Sequence, residues 1–510
     1  MKTEFRMFRH VGLVSLGTLS SRILGLIREV LMASTFGTTG IGSAFFVAFT
    51  IPNLFRRLFG EGALSAAFVP QSIRLREGPE PEKAAQTTRS LMQWLVTLLG
   101  KITFLVLVLA SIMLEMDRWG TATLTTLLCL RILMPYVIGI CLAALMMGVL
   151  NAHRRYVLPA FTPCLLNLIW IGTLLGLQTT TDLTLEEKVL WVAWAILGAG
   201  FLQFGVQAVA ARRHLRAGPP ADSSDPELRL ILTRMAPAVM GAAVTQINVL
   251  LDRLLAFWVG DYGPAALAYS ERLLYLPLGL FATALGTILL PEFSAQVQRK
   301  DDAALSNTLD RSLRVITFIM LPASVGLAVL STPIIQLVYE RGVFDAESTL
   351  LTARVLLLYT PGLLVFSLAK VFVPIFHAHG DTRTPMRVGA AAVGANLAFN
   401  LICIATFPAG WKHAGLAAGT VLSVLLQVGI LAMFTHRRYT PLHPGRLLVS
   451  FGRQSAACLP LIVVAIGFPT LATELPALLR TPLTILLAAA AYFAATWLLR
   501  CPEWRELRDH

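Results

Sequence analysis

Charge is what this sequence has least of. Asp, Glu, Lys and Arg together make up 14% of the 510 residues, against about 25% in a soluble domain. With 56% hydrophobic residues, the chain has too little polar surface to stay in water. Cysteine is sparse too: the six (Cys129, Cys141, Cys164, Cys403, Cys458 and Cys501) stand singly with no C-x-x-C pair, so neither a disulfide framework nor a zinc site is indicated. Also missing are a metal-ligand cluster, a phosphate-binding loop and a serine–histidine constellation, which leaves a hydrolase without support. Acidic residues are outnumbered by basic ones, 29 to 42, for a net charge of +13. Nucleic acid is one reading of that excess, but the basic residues lie mostly in short loops between apolar runs, where membrane topology explains them better.

What is present is a succession of apolar stretches, each long enough to cross the hydrocarbon core. Hydropathy and turn signals predict an all-α polytopic membrane protein of about 14 spans. They lie near 11–36, 43–71, 90–114, 121–150, 157–178, 189–211, 229–258, 264–295, 306–331, 348–377, 385–406, 413–435, 453–470 and 482–500. The first could imitate a secretory signal, but Arg22 and Arg28 interrupt it and no convincing small-residue cleavage site closes it, so it reads as a retained span. Alternate loops carry the basic residues, among them Arg74, Arg76, Lys83, Arg154, Arg155, Arg212, Arg213, Arg299, Lys300, Arg437 and Arg438. Lys/Arg excess marks the cytoplasmic side, which predicts both termini there.

Arginines also stand inside the apolar segments, most densely in the first two: Arg22, Arg28, Arg56 and Arg57, with Glu29 and Glu61. A guanidinium near the bilayer centre costs roughly 2.5–3.5 kcal/mol on insertion scales. Such residues persist when they face a wet cavity, pair with each other or meet a charged ligand, and a cationic chamber points to an anionic cargo. Guanidinium forks suit a pyrophosphate because they grip its oxygens in pairs and stay charged. Arg22 and Arg28 are six positions apart, which leaves them roughly 120° off one another on an ideal helix. A bend at Gly25 would turn both toward one chamber.

The chain repeats itself. Pro70 and Pro291, in similar stretches, are 221 positions apart; Pro135 and Pro361 are 226 apart, each followed 24 positions later by another proline (Pro159, Pro385). An even number of spans fits one period, which predicts two like-oriented six-helix lobes related by an axis along the membrane normal. The expected divisions are 1–225, an N-terminal lobe; 226–440, a C-terminal lobe; and 441–510, two extra helices with a tail.

The run Ser21-Arg22-Ile-Leu-Gly25-Leu-Ile-Arg28-Glu29, then Ala44-Phe-Phe-Val-Ala-Phe, then Pro52-Asn53-Leu-Phe-Arg56-Arg57-Leu-Phe-Gly-Glu61-Gly62-Ala63, resembles the MurJ (MviN) lipid II flippases of the multidrug/oligosaccharidyl-lipid/polysaccharide exporter superfamily. The likeness continues through Asn151, Phe161, Asn167, Glu271-Arg272, Pro291, Lys370 and Leu416. It implies a protein that rocks between inward- and outward-open states and moves the undecaprenyl-pyrophosphate-linked peptidoglycan precursor to the periplasmic leaflet of the bacterial inner membrane. The positions matching the family's cavity arginines are Arg22, Arg28, Arg56 and Arg272, and the extra helices match those lining a groove for the polyprenyl tail. Two family acidic positions appear here as Ser43 and Tyr275, which makes the expected cavity more positive or dependent on other gating contacts. Glu61, Arg131 and Lys370 are further candidates for cavity lining or gating.

Some members of that family resemble sodium-coupled carriers, and the matching oxygen-bearing residues are Asp252, Asn396, Asn400 and Thr420. The two asparagines have i,i+4 spacing and so share a helix face. Arg253, next in the chain to Asp252, would compete by neutralising it. No resident cofactor is expected. The driver is a coupling ion, Na+ or H+, or the membrane potential, at about 2.3 kcal/mol per charge per 100 mV. Expected partners are the lipid-linked precursor, membrane lipids and other cell-wall synthesis proteins, not nucleic acid. The alternatives are an exporter of another polyprenyl-pyrophosphate-linked oligosaccharide, a cation-coupled multidrug exporter, and a non-transporting envelope scaffold. A drug exporter of cations would want an acidic cavity, and a scaffold has no use for costly intramembrane arginines.

Overall fold

The structure, a computed structural model, describes residues 2–60, 63–116, 119–215 and 219–508. It is helical throughout. Among the described residues there is no strand, only an isolated bridge between Arg341 and Phe344. Twelve helices among the described residues are long and apolar enough to cross a membrane, and they correspond to predicted spans 3 to 14. Span 1 is the helix Lys2–Phe36. Span 2 is divided into Gly40–Phe55, a π-helical turn Arg56–Gly60 and Ala63–Glu77, none of which alone reaches membrane-crossing length. The chain is thus a multi-pass membrane protein with twelve spans by that criterion among the described residues, preceded by the helix Lys2–Phe36 and the three segments of span 2.

Proline sets the breaks. Span 4 is split into Thr121–Leu133 and Tyr136–Ala152 around Pro135, whose nitrogen cannot donate to the preceding turn. In span 2, Pro52 lies four residues before the π turn; in span 8, Pro277 directly precedes a second π turn, Leu278–Ala282, between Gly263–Pro277 and Thr283–Arg299. Pro52 and Pro277 are 225 positions apart, so the repeat read from other prolines extends to a shared irregularity of the backbone. A third pair is found where spans 4 and 10 end. His153 and His379 each place Nδ1 2.9 Å from the carbonyl four residues back. The next residue in each case, Arg154 or Gly380, is left-handed, at φ 57° and 75°.

The chain packs into two compact units, Met1–Leu250 and Leu251–His510. The first unit's core gathers Phe36, Phe45, Phe68, Leu133, Tyr136, Leu145, Trp170 and Ile196. The second has a comparable core around Leu267, Phe293, Leu363, Phe376, Leu416 and Leu431. Spans 13 (Pro444–Leu471) and 14 (Ala477–Leu498) join it through a smaller cluster of Phe318, Cys458, Leu461, Ala488 and Tyr492, where the Tyr492 hydroxyl donates to the Phe318 carbonyl at 2.9 Å. All six cysteines are buried and unpaired. Outward-facing Phe104, Leu105, Ile112, Trp258, Leu459 and Val463 are strongly exposed, as expected of side chains that meet lipid rather than water.

Candidate functional site

Two polar clusters stand inside the helical units, one in each. In the first, Arg28 of span 1 is held from three sides. Nη1 donates to Asn167 Oδ1 of span 5 (Val157–Thr179) at 2.9 Å, Nη2 donates to Glu29 Oε1 at 2.6 Å, and the guanidinium carbon lies 4.4 Å from the Trp170 ring centroid. Asn167 in turn donates to the Ser21 carbonyl at 3.1 Å, tying the same two helices together. A charge-assisted bond contributes about 1.5–3 kcal/mol and a cation–π contact about 0.5–2. These contacts offset the insertion cost of roughly 2.5–3.5 kcal/mol, so Arg28 is stable there without any cargo.

Arg22 differs. It is exposed, and no hydrogen bond or ion pair engages it among the described residues. Helix Lys2–Phe36 runs continuously through Gly25. The two arginines diverge as their six-residue spacing dictates, Arg28 packed onto span 5 and Arg22 left exposed. Arg56 opens the π turn, half-buried, its Nε donating to Asn53 Oδ1 at 2.9 Å; Arg57 is exposed and reaches Gln246 Oε1 only at 3.5 Å. Glu61 lies outside the described residues. Ser43 is fully buried, its N–H bonded to the Thr39 carbonyl at 3.0 Å in the first turn of span 2. Arg131 is exposed in the last turn of the helix Thr121–Leu133, a place where a cation also complements the helix dipole.

The second cluster joins spans 7 (Pro226–Val259), 11 (Arg383–Thr406) and 12 (Lys412–Arg438). Asn400 Nδ2 donates to Asp252 Oδ1 at 2.7 Å and to Asn396 Oδ1 at 2.9 Å. Thr420 Oγ1 donates to Asp252 Oδ2 at 3.1 Å and accepts from Asn396 Nδ2 at 3.1 Å. Asp252, Asn396 and Asn400 are all buried. Gly419 makes room for this arrangement, because a Cβ there would collide with Asn400 Oδ1. That oxygen is buried with no hydrogen-bond donor among the described residues.

Arg253 does not close on Asp252. Its Nη2 donates to Glu271 Oε2 at 2.6 Å and its Nη1 to the Pro264 carbonyl at 2.7 Å, while the Tyr359 hydroxyl donates to Glu271 Oε1 at 3.2 Å. Consecutive helical side chains diverge by about 100°, which sends Arg253 to span 8 and Asp252 to spans 11 and 12. Arg272, beside Glu271, is half-buried and has no ion-pair or hydrogen-bond partner among the described residues. Tyr275, one turn on, is 52% exposed, and Lys370 is exposed in the last third of span 10, Ala346–Ala378. Sequence reasoning missed the roles of Trp170, Tyr359 and the Arg253–Glu271 pair. The available signal for that pair was a carboxylate adjoining Arg272 inside an apolar span. Among the described residues no group of three or more His, Cys, Asp and Glu side chains is placed to hold a metal ion.

The family model described as lipid II flippase MurJ matches residues 32–481. The lipid II flippase MurJ of Burkholderia cenocepacia is 32% identical over 515 residues, covering 97% of each chain. Among solved structures, a lipid II flippase MurJ in an inward closed conformation matches with a TM-score of 0.78 at 24% identity, over 97% of this chain and 99% of the other. An inward-facing multidrug resistance MATE transporter of the MOP superfamily matches with a TM-score of 0.66 at 15% identity, over 82% of this chain and 94% of that one, a likeness of fold alone.

Proposed function

The chain belongs to the MurJ family of lipid II flippases, and from that premise we propose how its own residues serve the transfer. The protein is a transporter and not an enzyme: it carries lipid II from the cytoplasmic to the periplasmic leaflet by alternating access. The proposed head-group contacts are Arg22, Arg28, Arg56 and Arg272, acting on the pyrophosphate. The observation that carries this reading is that Arg22 and Arg272 stand within spans 1 and 8 with no counter-charge among the described residues, whereas Arg28 is already compensated by Glu29, Asn167 and Trp170. Unpaired guanidiniums in a membrane protein need an anion to balance their cost, and a pyrophosphate offers oxygens in the pairs that a guanidinium fork accepts. Arg28, fixed in advance, orients with little further loss of side-chain freedom. Both termini are inferred to be cytoplasmic from the basic loops.

The test is rescue of growth in bacteria depleted of their own flippase, together with periplasmic exposure of lipid II. Wild type restores both; Arg22→Ala and Arg272→Ala insert and accumulate but restore neither. Full rescue by either variant at equal protein level removes that arginine from the site.

The cluster at Asp252 favours a coupling cation as the driver. All four side chains offer oxygen, the donors hard monovalent and divalent cations prefer. Asn400 Oδ1 is left over, and Arg253 is engaged by Glu271. Asp252, Asn396, Asn400 and Thr420 would hold Na+, which would supply the charge that balances the buried carboxylate. Retention of Na+-dependent thermal stabilisation in Asp252→Asn would count against this site and leave the membrane potential or protons as the driver.

A further inference from the structure

We propose that the second unit holds an acidic phospholipid, its phosphate gripped by Arg446 and Arg453 at the start of span 13, beside Arg314 of span 9, at a site separate from the arginines assigned to lipid II. Span 13 begins at Pro444, and its first turns place Arg446, Val449, Ser450 and Arg453 along one face, the i, i+3, i+4, i+7 positions that share a side of a helix. Together with Arg314 and Pro502 they line a cavity of about 410 Å³.

The charges around it do not cancel. Arg314 donates through Nη2 to Glu506 Oε1 at 2.6 Å, with Nη1 3.8 Å from Glu503 Oε1. Ser450 donates to Glu503, which is wholly buried, and Arg311 donates to the Glu506 carbonyl at 2.7 Å. The two carboxylates are therefore turned to the Arg314 side. Arg446 and Arg453 are exposed and have no carboxylate partner among the described residues. Arg446, in the first turn of a long helix, stands at the positive end of its dipole.

The neighbourhood points to a lipid as the source of the anion. The basic cavity shares Arg314 and Ser450 with a second one of about 300 Å³, walled mainly by Leu313, Leu368, Phe372 and Leu447. A cationic mouth opening beside an apolar recess matches a molecule with a phosphate at one end and a hydrocarbon chain at the other. Exposed Leu448, Val449 and Phe451, at 68%, 58% and 42%, leave the same turns open to the membrane. Basic pockets between helices at a membrane surface take acidic head groups.

Full-length protein, delipidated in detergent and then offered phosphatidylglycerol or phosphatidylcholine, should retain phosphatidylglycerol preferentially in native mass spectrometry. Arg446→Ala with Arg453→Ala should lower that retention at least tenfold without changing phosphatidylcholine retention or the melting temperature. Arg272→Ala should retain it like wild type, which separates this site from the proposed cargo contacts. Val449→Trp, which fills the cavity and keeps both arginines, should also lower it, and decides the matter if the double variant does not fold. Equal retention of the two lipids by wild type, or undiminished phosphatidylglycerol in a folded double variant, overturns the proposal. Millimolar inorganic phosphate should not displace the lipid; binding of phosphate as tight as that of phosphatidylglycerol overturns the assignment to a lipid.

Discussion

In the first unit the seam between spans 1 and 5 is closed by Arg28 on Asn167. In the second, the seam between spans 7 and 11 is closed by Asp252 on Asn400. Arg28 and Asp252 are 224 positions apart, close to the period fixed by the prolines, whereas Asn167 and Asn400 are 233 apart. One repeated scaffold therefore carries opposite charges at related seams, with amide side chains in span 5 and span 11 that can donate to an anion or accept from a cation. Exposure differs as well. The Arg28 side chain retains 15% of its surface and Glu29 13%, whereas Asp252 retains 5% and its carboxylate accepts from Asn400 Nδ2 and Thr420 Oγ1. A partly open guanidinium suits a large anionic head group, and an enclosed carboxylate suits a bare small cation. Duplication supplied the frame; the difference in charge separates the two proposed tasks.

The sharpest way to break that contrast is to remove its charges. Arg28→Ala should abolish rescue of flippase-depleted cells while the protein still accumulates in the membrane, because the fixed cation and its bond to Asn167 go together. Asn167→Ala keeps the charge and loses one support, so a partial loss of rescue is expected. In the second unit, Asp252→Ala strips acceptors from Asn400 and Thr420. Leaving buried donors unsatisfied costs about 1–3 kcal/mol, which should appear as a lowered melting temperature in detergent. Asp252→Asn keeps most of the shape and should lose less stability while losing any dependence on Na+. An equal fall for both would mean that the carboxylate's charge, and not only its acceptors, holds span 7 in place.

Much of this frame was legible because hydropathy and proline act locally. The apolar runs of spans 3 to 14 became helices, and the proline spacing announced a repeat that the π turns then shared. Asn396 and Asn400 were readable as one face for the same reason, since i,i+4 neighbours meet on any helix. What could not be read depends on partners distant in sequence. Arg253 adjoins Asp252 in the chain but bonds to Glu271, 18 residues on, across the turn that joins spans 7 and 8. Trp170 under Arg28 is 142 positions away in sequence and carries nothing that separates it from an ordinary core aromatic.

The loops that close spans 4 and 10 sharpen the comparison at a smaller energy. Both need a left-handed residue after the histidine, and only the second unit has glycine there. A non-glycine residue in that region costs roughly 1–2 kcal/mol, less the backbone entropy of roughly 0.5–1 that glycine would lose. Arg154→Gly should therefore raise the melting temperature slightly, by about 0.5–1 kcal/mol of stability, whereas Gly380→Ala should lower it by about 1 kcal/mol. Opposite signs from corresponding positions would confirm that the loop geometry, not the side chain, is what the repeat preserves.

The smallest effect is set by acid at the same loop. Asp381 Oδ1 accepts from the Thr384 N–H at 2.9 Å and Oδ2 from the Tyr439 hydroxyl at 3.0 Å. Bonds from Thr384, and less from Tyr439, hold its carboxyl below the ordinary carboxylate value. A carboxyl depressed in the folded state adds stability that is fully present above its unfolded pKa, about 3.9, and is lost as pH falls through the folded value. Melting followed from pH 5 to pH 3 should thus decline more steeply for wild type than for Asp381→Asn. The gap is small because the group is largely open to solvent. The first unit has Arg155 at the related position, 226 residues earlier, and His153 stacks there on His214 at 3.6 Å where His379 stacks on Tyr439 at 4.1 Å. Arg155→Ala should leave the slope between pH 5 and pH 3 unchanged; a change as large as that of Asp381→Asn would show that the two loops share their acid response despite the exchanged charge.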